Sequence, residues 1–230
     1  MLKFWKIMNL IYEKTIMGVF LIALLVVIYA FYDTWYVFNQ AGNDSYLRFK
    51  PNIVEAAEFE DSPITSDMVA WITVDDTNID YPVMQGEDNN QYLNLNPYGE
   101  HSLSGSIFLD SRNSSDFSDP YSIIYGHHME YGMMFGALDD FLDDQYLNAH
   151  RNGTLIVGVT GAESYDLEIF YAESRDAKDK MVFETEHSEE LREYLSSKGF
   201  DRENRIVCLS TCAGGATTDR TVVFAYILEN

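Results

Sequence analysis

Arg205-Ile206-Val207-Cys208-Leu209-Ser210-Thr211-Cys212-Ala213-Gly214-Gly215 is an apolar run rich in β-branched residues that ends on a cysteine and a glycine-bearing loop. As a strand over 205–211, it puts Cys208 and Cys212 on one face, about 13 Å apart at ~3.3 Å per residue. Disulfide geometry needs Cα atoms within about 7 Å, so these two, the only cysteines of the chain, do not bridge within an extended strand. Cys208, inside the run, reads as a small buried hydrophobe, the usual state of a free cysteine. Cys212, at the strand end, reads as a sulfur held by a sheet yet open on one side, which suits a nucleophile.

Outward from this run, the body shows seven more short β-rich segments separated by turn formers: residues 69–74, 79–84, 105–109, 121–125, 154–160, 165–172 and 221–228. Many short strands without alternating long helices point to a mainly β sandwich or closed barrel, not to βαβ units. Helical inserts are expected at 88–93, which opens on an Asx-type cap, at 135–142, and at 187–197, where Leu191, Tyr194 and Leu195 face inward and Gly199 closes the end. Residues 54–59 read as a short helix packed on the domain, and Pro63 marks a break before it begins.

Residues 15–32 carry no charge, a length near the lower edge of a spanning helix. Lys3, Lys6 and Lys14 precede them, while Asp33, Asp44 and an acidic body follow, so the positive-inside tendency puts the N-terminus in the cytoplasm. A cleaved signal peptide has a shorter apolar core and a small-x-small site, which Ala30-Phe31-Tyr32 does not supply. The expected organisation is a cytoplasmic N-terminus over 1–14, a transmembrane signal-anchor over 15–36, an extracellular linker with a short helix over 37–62, and one folded domain over 63–230. The formal net charge of −22 sets the folded part against phosphate backbones, so nucleic acid is not an expected partner.

One of two histidines, His127 or His128, and Arg220 are the candidate partners of Cys212. His127 and His128 follow the apolar run 121–126, and two strand ends can meet at one barrel rim. Thiol chemistry needs thiolate, which a neighbouring imidazolium or guanidinium favours. Arg220 opens the strand that forms a hairpin with the cysteine strand, and its planar fork suits the oxyanion of a tetrahedral acyl intermediate. Two readings compete: His127, His128, Cys208 and Cys212 as zinc ligands, against which the cysteines lack the knuckle spacing and Arg220 would be a misplaced cation, and a histidine pair that only packs and hydrogen-bonds at a loop. Asp139, Asp140, Asp143 and Asp144 offer a calcium reading; a solvated helix face is the plainer one. No metal or cofactor is expected.

These residues resemble the sortase family. Cys208-Leu209-Ser210-Thr211-Cys212 is similar to the signature Thr-Leu-x-Thr-Cys, with Arg220 a short loop downstream, and Cys208 stands where the signature usually has Thr. Asp80-Tyr81-Pro82-Val83-Met84-Gln85, Asp88-Asn89-x-x-Tyr92-Leu93, Gly105-Ser106-Ile107-Phe108-Leu109-Asp110 and Tyr125-Gly126-His127-His128-Met129 extend the likeness, which over roughly 66–228 looks like class B. The helix at 187–197 is similar to the one that class B members carry before the cysteine strand.

The resemblance implies a closed eight-stranded sortase-type β-barrel with short helical inserts. It implies a cysteine transpeptidase with Cys212 as nucleophile, His127 rather than His128 as proton partner and Arg220 as oxyanion-stabilising cation. Asn89, Leu93, Ser210 and Thr211 are implied as substrate-binding residues of the sorting-signal groove. Substrates would be secreted proteins with a C-terminal sorting motif, of Asn-Pro-x-Thr type or related rather than Leu-Pro-x-Thr-Gly, cut after Thr through a thioacyl enzyme. The acceptor would be an amine of peptidoglycan or its lipid-linked precursor, and pilin polymerisation is not expected because no pilin-type lid segment precedes the domain. A membrane-tethered cysteine hydrolase, which releases a free acid, and a non-catalytic surface binding domain remain as alternatives.

Overall fold

The computed structural model describes residues 1–42, 46–51, 62–158, 163–211 and 218–229. Cys212, the helix expected at 54–59 and the end of the fifth run at 159–160 lie outside the described residues. The chain divides into two units, Met1–Gln40 and Ala41–Asn230.

The first unit is one helix, α1 (Leu2–Ala41), of 40 residues. At 1.5 Å per residue it is about 60 Å long, roughly twice the hydrocarbon thickness of a bilayer. Helix therefore includes both the 1–14 stretch and the start of the 37–62 linker, since nothing from Leu2 to Ala41 stops it: no proline occurs and Gly18 is the single glycine. Helical hydrogen bonding does not change where hydrocarbon ends, so the backbone carries no mark of that boundary. Its apolar side chains, Phe20, Leu25 and Val26 among them, are exposed. Leu2–Asn39 is long and apolar enough to cross a membrane.

The second unit is built on eight strands: β1 (Met68–Val74), β2 (Asp80–Met84), β3 (Ile107–Leu109), β4 (Tyr121–Gly126), β5 (Asn152–Val157), β6 (Glu163–Asp176), β7 (Arg205–Thr211) and β8 (Asp219–Leu228). They close into a barrel in the order β1-β2-β3-β4-β7-β8-β6-β5. Closure removes free sheet edges and encloses one core, which a sandwich would leave with edges to protect. Trp71, Ile72, Val83, Leu109, Ile124, Leu155, Leu209 and Phe224 are all buried, on one face of the sheet or the other.

Two of the pairings matter most for the site. β4 and β7 run parallel, with Ile123 opposite Cys208, Tyr125 opposite Ser210 and Gly126 opposite Thr211. β7 and β8 run antiparallel, with Ser210 opposite Val222. The C-terminal ends of β4 and β7 and the start of β8 therefore share one rim.

Helical inserts fall close to the expected places, with differences that have local causes. The 88–93 segment is a 3₁₀ turn, Gln91–Leu93, preceded by Asp88, whose carboxylate accepts from the Asn90 and Gln91 amides at 2.8 and 3.1 Å. The 135–142 segment is also 3₁₀, over Gly136–Leu142. Two short helices had no apolar period to announce them: α2 (Asp144–Ala149), capped by Asp143, and α3 (Lys180–Phe183), capped by Asp179. Each cap carboxylate accepts amide hydrogens that a first helical turn leaves unpaired. Asp143 thus has a capping role within the acidic run. α4 (Ser188–Ser197) buries Leu191 and Leu195.

Candidate active site

Gly126 ends β4 where a side chain has no room: a Cβ there would lie 2.4 Å from Ile107 Cδ1 and 2.7 Å from the Phe135 ring. Its absence lets the chain turn tightly into His127, whose carbonyl accepts from the Phe135 amide at 3.0 Å. The imidazole is half-buried, and its Nε2 lies 2.7 Å from the Leu93 carbonyl oxygen. A carbonyl only accepts, so Nε2 carries a hydrogen in this contact. Gly105, at φ +58, holds that carbonyl's surroundings, since a Cβ there would meet the Leu93 oxygen at 2.6 Å.

From the other side of the rim comes Arg220, near the start of β8. Its Nη1 donates to the Thr211 carbonyl at 3.0 Å, and the Thr221 amide donates to the Thr211 hydroxyl at 3.0 Å. The guanidinium carbon sits 5.7 Å from the Phe183 ring centroid, within cation–π range. Arg220 is thereby bonded to the residue that immediately precedes Cys212 in the chain.

His127 and Arg220 line one pocket of about 390 Å³ together with Asn89, Leu93, Phe108, Tyr125 and Phe183. That volume and the mixture of aromatic walls with a few polar groups are usual for a site that holds a peptide-sized ligand segment. Asn89 and Leu93 are thus on the pocket with His127 and Arg220. Ser210 and Thr211 are buried, the Ser210 hydroxyl donating to the Thr211 carbonyl at 3.2 Å. His128 takes another direction: it is exposed, with Nε2 2.8 Å from Asp139, whose second carboxylate oxygen accepts from the Thr221 hydroxyl.

Cys208 occupies the interior, fully buried and opposite Ile123. Burial pushes its thiol up to about 12, so it stays protonated and unreactive at neutral pH. Among the described residues no cluster of three or more His, Cys, Asp or Glu side chains is arranged to hold a metal ion.

Several lining residues had no functional reading from the sequence. Phe108 and Tyr125 sit in the motifs that carry the family resemblance, but as strand residues they read as core. Phe183 belongs to α3, which lacks a periodic signature.

Eight strands thus close a barrel whose rim, shared by β4, β7 and β8, turns an imidazole and a guanidinium onto one pocket. The pattern of the sortase domain matches residues 72–228, and the chain belongs to the sortase family. Relatives place it with class B. It is 39% identical to sortase B of Listeria monocytogenes over 161 residues, 65% of this chain and 64% of that one. To sortase B of Staphylococcus aureus it is 34% identical over 179 residues, 72% of each chain. A class B sortase of Streptococcus pyogenes involved in pilus biogenesis superposes with a TM-score of 0.63 at 38% identity, covering 71% of this chain and 94% of that one. The match to the Listeria relative thus spans somewhat less than two thirds of its length.

Proposed function

We propose that this chain is a membrane-anchored cysteine transpeptidase that cuts the C-terminal sorting motif of secreted proteins after Thr and transfers the protein to a cell-wall amine. The observation that carries the reading is the register Gly126 opposite Thr211, with Arg220 bonded to the Thr211 carbonyl. It supports a rim on which His127, Arg220 and the residue after Thr211 serve one reaction.

In this mechanism the Cys212 thiolate attacks the Thr carbonyl of the motif, and the developing oxyanion is held by Arg220. His127 as imidazolium gives its proton to the leaving amine, which departs as the acyl–sulfur bond remains. The incoming amine then loses a proton to His127 as it attacks the thioester, and the thiolate leaves. Asn89 and Leu93 bind the motif along the pocket, and Ser210 and Thr211 support it from the strand beneath. α1 holds the enzyme in the membrane with residues 1–14 in the cytoplasm and 63–230 outside, where substrates with their own hydrophobic tails are confined with it.

The test uses the full chain in detergent micelles, with peptides carrying Asn-Pro-x-Thr-type and Leu-Pro-x-Thr-Gly motifs, with and without an amine. Amine-dependent ligated product that vanishes in Cys212→Ala is expected. Free acid as the sole product with amine in excess identifies a hydrolase. Absence of both cleavage and labelling of Cys212 by a thiol-directed motif analogue identifies a binding domain. The S. pyogenes relative's involvement in pilus biogenesis adds a protein lysine to the amines offered, beside those of peptidoglycan.

A further inference from the structure

Directly after β3, and behind the pocket lining rather than on it, lies Asp110, a carboxylate with no solvent exposure. A charge buried so completely is costly unless its oxygens are fully engaged. Five donors engage them. Oδ2 accepts from Asn89 Nδ2 at 2.9 Å, the Tyr125 hydroxyl at 3.1 Å and Arg112 Nη2 at 2.7 Å. Oδ1 accepts from Arg112 Nε and the Arg112 amide, each at 2.9 Å.

The donors matter because of where they lead. Asn89 and Tyr125 line the pocket. Arg112 Nη2 also donates to the Phe183 carbonyl at 2.7 Å, and Phe183 is the lining residue whose ring faces Arg220. The Asn89 amide has one orientation available: its Oδ1 accepts from the Ser111 amide at 2.8 Å, so its NH₂ must face Asp110. Three wall segments from different parts of the chain, 89–93, β4 and α3, are thus tied to one carboxylate. Burial raises the carboxyl's pKa, but the Arg112 and Asn89 hydrogen bonds outweigh it and hold it below the usual range, so Asp110 is ionised at neutral pH.

We propose that Asp110 is a positioning residue for the pocket, fixing Asn89 and Tyr125 directly and Phe183 through Arg112, and that it sets affinity for the sorting motif rather than the rate of acyl transfer. It touches neither substrate nor the reacting atoms. The inference rests on the transpeptidase reading above, and the experiment separates the two.

The full chain, Asp110→Asn, Arg112→Gln, Asn89→Ala and the Asp110→Asn/Asn89→Ala double variant are assayed in detergent with the motif peptide that the parent cleaves fastest. Asp110→Asn keeps the volume, but its amide NH₂ replaces an acceptor, leaving at least one buried donor unpaired; about a tenfold rise in KM is expected, with kcat within about threefold. Arg112→Gln removes the tie to the Phe183 carbonyl together with two side-chain hydrogen bonds to Asp110, but leaves the Asn89 and Tyr125 bonds in place, and gives a smaller rise in KM; because Arg112 is partly exposed, this variant also serves if Asp110→Asn does not fold. In the double variant the two KM effects do not add, since Asp110 acts partly through Asn89. A purely structural role would lower the amount of active enzyme, hence apparent kcat, and leave KM unchanged. That result, or additivity with unchanged KM in Arg112→Gln, overturns the positioning role while the enzyme reading stands. A parent chain that cleaves no motif peptide overturns both.

Discussion

The two ends of the β4–β7 pair make opposite use of the same materials. At the lower end Tyr121 lies opposite Ile206, its hydroxyl bonded to the Val182 carbonyl at 2.7 Å, and Cys208 sits nearby opposite Ile123. All four are buried. At the upper end Tyr125 lies opposite Ser210, and beyond it His127 and Arg220 open onto a pocket. Both ends hold a tyrosine on the same face of β4, and the sequence sets a thiol, Cys208, inside β7 and an imidazole, His127, just past the end of β4. What differs is access: Cys208 is fully buried and burial keeps its proton on, whereas the upper end has a guanidinium and an imidazole lining a pocket.

The sharpest way to break this contrast is His127→Ala. On the proposed mechanism it removes the proton carrier and should lower kcat/KM for a motif peptide by about 10²–10⁴-fold, read by chromatography of the cleavage products. Cys212→Ala should abolish product altogether. Arg220→Ala comes next, with a loss of about 10²–10³-fold in kcat if the guanidinium holds the oxyanion. Loss of cleavage in Cys208→Ala with the fold intact would reverse the assignment of the two cysteines.

Smaller effects probe the sealed end. Cys208→Ala should leave cleavage largely intact and cost about 1 kcal/mol in urea unfolding, the scale of deleting one buried heavy atom. The folded thiol holds its proton up to about 12, whereas the unfolded one ionises near 9.0, so the unfolded state is favoured as pH rises between them. The stability advantage of the parent over Cys208→Ala is therefore whole below about pH 9 and shrinks above it; urea midpoints for both chains from pH 7 to 10.5 would display the trend. Smallest of all is His128→Ala, which removes an exposed contact with Asp139 and should leave turnover within a few-fold, since exposed ion pairs contribute little.

How much could be read in advance depended on whether a feature is local. The run 205–211 emerges as β7 with the same limits, and the segments 69–74 and 221–228 differ from β1 and β8 by one or two residues. Continuous apolar runs and β-branched content are properties of a few neighbouring residues, which is why they survive in the linear chain. α2 and α3 were not legible, because they are too short for a period and rest on single capping aspartates. Phe183 joined the pocket only through such a helix.

By itself, the sequence determined the β-rich pattern of the strands, the burial of Cys208, and a helix at the N-terminus apolar enough for a membrane, all of them consequences of side-chain type along a short stretch. Tertiary structure alone decided that β4 and β7 pair in parallel, which carries His127 to the rim where β7 ends and β8 begins. It also decided that Asp110 meets Asn89, Tyr125 and Arg112 in one buried cluster. Strand order and the convergence of polar groups depend on which distant surfaces exclude water from one another, and that is a property of the closed barrel rather than of any segment of it.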